Sequence, residues 1–350
     1  MYKFKLYFFA FAILSGSLAL APAVAAQEFS DWSTPVNLGP IVNSVCSPGP
    51  CSDQHPNISK DGLSLYFSSD RLGGCGGLDI YVSQRASTDS PWEAPENLDK
   101  DRLAHGQPCV INSTANDIGP NLTTDGHTLF FHSFRANDNC GGGDMYYAHR
   151  HNRRDDFGWE APINLNRFGR DPNEPLVCGA VGSTTFVNTP NTDGGAAYFA
   201  DDATGMTVLY FTRSNLPTQL GDFDVYTATL GADGTWGTIL RDNELSTTPY
   251  RDTRVAIRRR DGLELILSSE RPGNPPGSDP RKLWFSTRMS TLEPWSTPVL
   301  LPNVNSTGVD GAPGLSWDGT ELYFYSNRAG AAAGNDLYLS TRPKLTGPQP

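Results

Sequence analysis

Short strand-like runs recur along the chain at a long interval. The clearest are Leu65-Tyr-Phe67, Leu129-Phe-Phe131, Leu209-Tyr-Phe211, Leu265-Ile-Leu267 and Leu322-Tyr-Phe324. Each follows a turn signal: Asp61-Gly62, Asp125-Gly126, Thr204-Gly205, Asp261-Gly262 and Asp318-Gly319. Asp-Gly between apolar runs predicts a tight hairpin, of type I′ when both central residues take positive φ. A Gly-rich loop leads from each aromatic run to a third strand: Asp79-Ile-Tyr81, Asp144-Met-Tyr146, Asp224-Val-Tyr226, Lys282-Leu-Trp284 and Asp336-Leu-Tyr338. A Trp-x-x-Pro phrase, degraded to Trp236-Gly-Thr-Ile239 in the third repeat, follows as the fourth strand, where Pro fits only an edge.

The tryptophans Trp32, Trp92, Trp159, Trp236 and Trp295 stand 60, 67, 77 and 59 residues apart. A strand-rich period of this length marks a repeat architecture, since one repeat cannot bury its own apolar face. The last repeat has no Trp-x-x-Pro after Arg342, and an orphan copy opens the chain at Trp32-Ser-Thr-Pro35. The expected fold is therefore all-β: a five-bladed β-propeller of four-stranded blades, closed by an N-terminal strand that completes the last blade. An open stack would leave two unpaired edges.

The phrase built around Asp61-Gly-Leu-Ser-Leu-Tyr-Phe-Ser-Ser-Asp-Arg71 and Asp79-Ile-Tyr81 resembles the WD-like propeller repeat of TolB-type periplasmic proteins. It resembles still more the secreted propellers that precede OmpA-like domains in some bacteria. The resemblance spans residues 28 to 342. What it implies is the fold, a propeller of WD-like repeats.

Residues 1–26 read as a signal peptide, with Lys3 and Lys5, an apolar run from Leu6 to Leu20 and small residues at Ala23-Val-Ala25-Ala26. The propeller is expected over 27–345 and a disordered tail over 346–350. No later stretch is long and apolar enough for a transmembrane segment. Net charge is −11, and −13 without the leader, which argues against nucleic acid as a partner. The basic clusters His149-Arg-His-Asn-Arg-Arg154 and Arg258-Arg-Arg260 are expected as solvated turn charges. The six histidines show no metal-binding spacing.

All six cysteines follow the leader, which suits disulfides in a periplasmic or extracellular protein. Cys75 and Cys140 occupy equivalent Gly-rich loops, and Cys109 and Cys178 occupy equivalent connections after the fourth strand. Blade equivalence therefore predicts Cys75–Cys109 and Cys140–Cys178, which leaves Cys46–Cys51.

Two sets of residues are candidates for chemistry. Arg71 with Asp79, Arg135 with Asp144 and Arg328 with Asp336 flank the Gly-rich loops, and a structural ion pair across each loop is expected. Blade 3 carries Asn215 where the others carry Arg. A second set, Asp53, Asp117, Asp193, Asp252 and Asp310, precedes each first strand, which in a propeller lines the central channel. Five carboxylates there have three readings. They cap their own turns, they hold a cation such as Ca²⁺, or they catalyse glycan cleavage. The last has precedent in five-bladed arabinanases and levansucrase-like enzymes, which hold carboxylates in this channel. His55 and Arg254 are the neighbours that break the symmetry. The expected function is a monomeric binding scaffold for a glycan, peptide or envelope protein on the disulfide-stapled loop face. The alternative is a glycan-active hydrolase or lyase using channel carboxylates.

Overall fold

The computed structural model describes residues 28–46, 51–171, 173–214, 223–247, 249–274, 276–331 and 334–345. The expected signal peptide, the expected tail and Asn215 lie outside the described residues. Twenty strands form five antiparallel sheets of four. Strand β1 (Val36–Asn37) comes first in the chain. Blade 1 is β2 (Asp53–Ile58), β3 (Ser64–Ser69), β4 (Asp79–Gln84) and β5 (Glu96–Asn97). Blade 2 is β6 (Asp117–Leu122), β7 (Thr128–Ser133), β8 (Asp144–His149) and β9 (Ile163–Asn164). Blade 3 is β10 (Asp193–Ala200), β11 (Thr207–Ser214), β12 (Phe223–Leu230) and β13 (Trp236–Arg241). Blade 4 is β14 (Asp252–Ile257), β15 (Glu264–Ser269), β16 (Lys282–Thr287) and β17 (Val299–Leu300). Blade 5 is β18 (Asp310–Leu315), β19 (Glu321–Ser326) and β20 (Asp336–Thr341), with β1 as its outer strand.

Val36 pairs with Leu339 and Asn37 with Tyr338, so the N-terminal strand closes the ring. The core is divided to match. Each of five apolar clusters joins two neighbouring blades, and the one at the seam sets Ile58, Leu65 and Phe67 of blade 1 against Tyr323, Tyr325 and Leu337 of blade 5. Closure thus rests on side-chain burial as well as on strand pairing.

Two local expectations are corrected. In the Asp-Gly turns only the glycine has positive φ, 75° at Gly62 and 77° at Gly126. Ser59 N–H bonds Ser64 C=O at 2.9 Å and Gly62 N–H bonds Ser59 C=O at 3.0 Å, which makes a four-residue loop rather than a two-residue I′ turn. Asp61 instead accepts from Leu63 N–H at 3.1 Å, holding the turn from inside. The fourth strands of blades 1, 2, 4 and 5 also begin after the Trp-x-x-Pro phrase, because Pro supplies no N–H to a ladder.

The tryptophan has a different task. Arg85, Arg150, Arg288 and Arg342 lie over Trp92, Trp159, Trp295 and Trp32, with 4.4, 4.4, 4.2 and 4.3 Å to the ring centroid. Each guanidinium Nε also donates to its own turn glycine, Gly62, Gly126, Gly262 or Gly319. In blades 1, 2, 4 and 5 one arginine therefore ties the hairpin turn to the outer edge. Arg150 in addition pairs with buried Asp156 at 2.6 Å, and Arg258 and Arg259 are buried, so neither basic cluster is the solvated set of charges expected.

Candidate functional site

At the start of every innermost strand the register slips against the second strand, giving five equivalent β-bulges. The bulge places the second residue after each Asp at positive φ: His55 57°, Gly119 73°, Gly195 71°, Arg254 50° and Ala312 44°. Glycine accepts that conformation freely, whereas His, Arg and Ala are strained by it. A bulge re-aims its side chain, here toward the channel.

The five Asp at these bulges are buried, and each is held by its own blade. Arg71 meets Asp53 at 2.7 Å, Arg135 meets Asp117 at 2.7 Å and Arg213 meets Asp193 at 2.6 Å. Arg271 meets Asp252 at 2.8 Å and Arg328 meets Asp310 at 2.6 Å. The other carboxylate oxygen accepts a backbone N–H from Ser44, Ser113, Thr189, Thr247 or Ser306, each at 2.5 to 2.8 Å. The expected Arg71–Asp79, Arg135–Asp144 and Arg328–Asp336 pairs are thereby corrected, since these arginines reach the first strand instead. In blade 3 the arginine is Arg213. Asp79, Asp144 and Asp336 instead accept from Asn97, Asn164 and Asn37 on the fourth strands, at 2.8 to 3.0 Å. Burial pushes Asp79 up to about 6 and Asp144 up to about 7. Among the described residues, the one trio of potential metal ligands lying together is Cys75, Asp99 and Cys109. Its two cysteines are joined to each other.

Inside the ring of Asp lies a pocket of about 150 Å³, lined by His55, His132, Phe134, Arg254, Arg281 and Tyr325 among others, and by no carboxylate among the described residues. Arg254 is 8% and His132 9% exposed. His55 Nδ1, His132 Nδ1 and Arg254 Nη2 are buried without a hydrogen-bond partner in the protein. Arg254 reaches from blade 4 to blade 2, where a Cβ at Gly119 would overlap its guanidinium. A Cβ at Gly194 would come within 2.8 Å of the His132 ring. Tyr325 sits edge-on to His55 with centroids 5.8 Å apart, and its hydroxyl accepts from Arg281 Nη1 at 3.0 Å. Arg281 also binds Glu270 at 2.9 Å.

Burial, reinforced by the charges of Arg254, His132 and Arg281, holds His55 well below the usual imidazole range. Burial first and Arg254 second push His132 down to about 3. Burial pushes Arg254 down to about 9. At neutral pH the pocket therefore presents two uncharged imidazoles beside a guanidinium that has no counter-ion. A separate, smaller cavity further along the first strands is lined by Arg259, which donates to the carbonyls of Ile58 at 2.6 Å and Leu122 at 3.3 Å. The residues lining the channel pocket sit near the starts of the first strands and the ends of the second strands, the end of the blades whose loops carry Cys46–Cys51, Cys75–Cys109 and Cys140–Cys178.

His132 and Tyr325 were not singled out by sequence reasoning. The signal lay in the column after each aromatic run, which reads Ser68, His132, Thr212, Ser268 and Tyr325. Two of the five depart from small hydroxyl residues, and both line the pocket.

No protein-family model matches the sequence, and no curated protein matches it. Solved structures do. A family 117 glycoside hydrolase of Zobellia galactanivorans is similar over 93% of this chain and 94% of its own, at 11% identity and TM-score 0.54. An endo-arabinase of Bacteroides thetaiotaomicron is similar over 91% and 100%, at 17% identity and TM-score 0.51. The α-L-arabinofuranosidase PaAbf62A of Podospora anserina is similar over 91% and 97%, at 13% identity and TM-score 0.50. At these identities the likeness speaks for the fold. It nevertheless corrects the resemblance to TolB-type repeats, because these structural neighbours are glycoside hydrolase propellers. The expectation of a binding scaffold on the disulfide-stapled loop face is corrected by the same neighbours, which favour the glycan-active alternative. Three disulfides suit an extracellular or periplasmic setting, and no described helix is long and apolar enough to cross a membrane.

Proposed function

We propose that this chain is a glycan-cleaving enzyme whose reaction takes place in the channel pocket. The observation that carries this reading is the convergence of His55, His132, Arg254 and Tyr325 at positions where the five-fold repeat is broken. A structural residue recurs from blade to blade, as the Asp–Arg pairs do. A reacting group is needed once. Two of the four, His55 and Arg254, stand on strained backbone, which a fold retains at functional positions when the surroundings over-determine it. The glycan-cleaving neighbours share the fold and support the substrate class.

The expected use of channel carboxylates is not carried forward. Glycosidases usually set one protonated and one ionised carboxyl across the bond. Here each rim Asp is engaged by an arginine, and proton transfer falls to imidazole and phenol. The pocket is well below the 300 to 1,000 Å³ typical of small-molecule sites, so roughly one sugar unit enters and the rest of the chain lies on the loop face.

The test is a panel of neutral and acidic polysaccharides incubated with the wild type and with a His55→Gly, Arg254→Gly double variant, scored for new reducing ends. Cleavage of at least one glycan by the wild type alone is expected. Absence of cleavage and of binding across the panel would remove this reading.

A further inference from the structure

We infer that the sugar accepted by this pocket is a uronic acid whose carboxylate rests on Arg254, and that the bond is broken by β-elimination. This inference rests on the glycan-cleaving reading and specifies its substrate and chemistry.

Consider what the pocket lacks. Arg254 is nine-tenths buried, has an unpartnered Nη2 and faces a surface of glycine. Buried charges are normally paired. Arg281, on the neighbouring wall, shares Glu270, and no acid among the described residues lines the cavity to neutralise Arg254. The missing partner is an anion small enough for about 150 Å³. The chain as a whole is at −11, so long-range attraction does not bring a polyanion here. The preference for an anion must arise from contact.

A larger cavity of about 470 Å³, between blades 4 and 5, makes a useful contrast. It contains Arg258 and Arg342, and both are paired with Glu264, at 3.3 and 2.8 Å. The charges of those two arginines are met within the protein.

A carboxylate is favoured over a sulfate by the remaining groups. Next to a uronate carboxylate, the C5–H bond becomes acidic once the carboxylate charge is offset, and a guanidinium does that while stabilising the enolate that forms. The base must be uncharged, and both imidazoles are. His55 takes the C5 proton on a ring nitrogen. The electron pair forms the C4=C5 double bond and the C4–O4 bond breaks. The leaving oxygen takes the proton of the Tyr325 hydroxyl. That hydroxyl already accepts from Arg281, so its own hydrogen is free to be donated and the resulting phenolate lies beside a cation. Return of the proton from His55 to Tyr325, its edge-on neighbour, restores both groups. Water, oxidant and reductant are not consumed. A sulfate ester would occupy Arg254 equally well but would offer no acidified C–H.

The experiment compares short oligomers of galacturonic, glucuronic and mannuronic acid with their methyl esters, with a sulfated galactose oligomer and with arabinotriose. Two readouts are followed, the ultraviolet absorbance of the conjugated enoate and new reducing ends. The variants are Arg254→Gly, which adopts the backbone that Gly119 and Gly195 already hold, and Gly119→Ala, which leaves Arg254 in the sequence but occupies its resting place. Enoate absorbance is expected from at least one free uronate and not from its ester. Both variants should lose roughly 100-fold in kcat/KM. Arg254→Gly should melt no lower than the wild type. Reducing ends without enoate absorbance, or cleavage confined to neutral or sulfated oligomers, would overturn the inference and leave the glycan-cleaving reading standing. No binding and no product from any oligomer would remove both.

Discussion

The rim of the channel and its interior are built from the same strands, two residues apart, and treat charge in opposite ways. At the rim each Asp has an arginine, a backbone N–H and in most blades a hydroxyl. The arrangement is written five times with little variation. In the interior the five bulge residues are His55, Gly119, Gly195, Arg254 and Ala312, and the charged one has no counter-ion. Burial is similar in the two places, so burial does not set them apart. What differs is whether electrostatic demand is met within the blade or left for something from outside. The rim is scaffold by that criterion, and the interior is where we propose that a ligand binds.

The comparison is broken most forcefully at the rim. Asp117→Ala leaves Arg135 largely buried without its partner. Removing one member of a buried pair typically costs about 3–5 kcal/mol, so the melting temperature should fall sharply and calcium should not restore it. A midpoint within error of the wild type would mean that the rim pairs are dispensable. Two residues further on, Arg254→Gly should act with the opposite sign. It releases backbone strain of about 1 kcal/mol and removes an unpaired buried charge, so stability should hold or rise while ligand binding disappears. A large loss of stability would place Arg254 with the scaffold instead.

Acid sharpens the contrast on a smaller scale. His132 titrates near 3 in the fold and near its ordinary 6.5 when unfolded. The unfolded chain therefore binds the extra proton across that interval, and stability present above pH 6.5 is lost as pH falls toward 3. His55 is lowered too and acts in the same direction. Asp79 and Asp144, raised to about 6 and about 7, act the other way, since their contribution fades as pH rises through those values. A His132→Phe variant should show a shallower acid slope in its melting curve below pH 6.5, with the alkaline side unchanged. An unaltered slope would argue that the His132 ring is solvated.

The smallest effect belongs to the turn acids at the opposite end of the blades. Asp61→Ala removes an exposed hydrogen bond to Leu63 and should cost no more than about 1 kcal/mol. A loss as large as that of Asp117→Ala would erase the distinction between turn chemistry and rim pairing.

Repetition decided what could be read from the sequence. The echo of Trp295-Ser-Thr-Pro298 at Trp32-Ser-Thr-Pro35 exposed the ring closure, because a missing member of a series is visible without knowing any contact. Blade equivalence sorted the cysteines for the same reason. Pairing partners within a blade were harder. Arg71 lies close in sequence to Asp79 but meets Asp53, since strand pairing brings the start of β2 opposite the end of β3. The Asp-Gly dipeptide serves both two- and four-residue loops, and only the φ of the Asp separates them. In the candidate site, His55 and Arg254 stood out as breaks in an otherwise uniform column. His132 and Tyr325 were hidden because they follow runs of aromatic core residues, where an additional ring looks like more core.

The strand that completes blade 5 has a consequence in time as well as in space. Asn37 and Asp336, hydrogen-bonded at 2.8 Å, are 299 positions apart in the chain. Bringing such distant ends together costs only slightly more entropy than for a loop half as long, but the contact cannot form until the final strand exists. Strand β1, which emerges before the other strands, is thus among the last to dock. Until it does, β20 keeps an open edge able to pair with another molecule, so the interval before docking is when this chain is most exposed to aggregation. The ring also certifies its own completeness, since a chain cut short before β20 has nothing for β1 to grip.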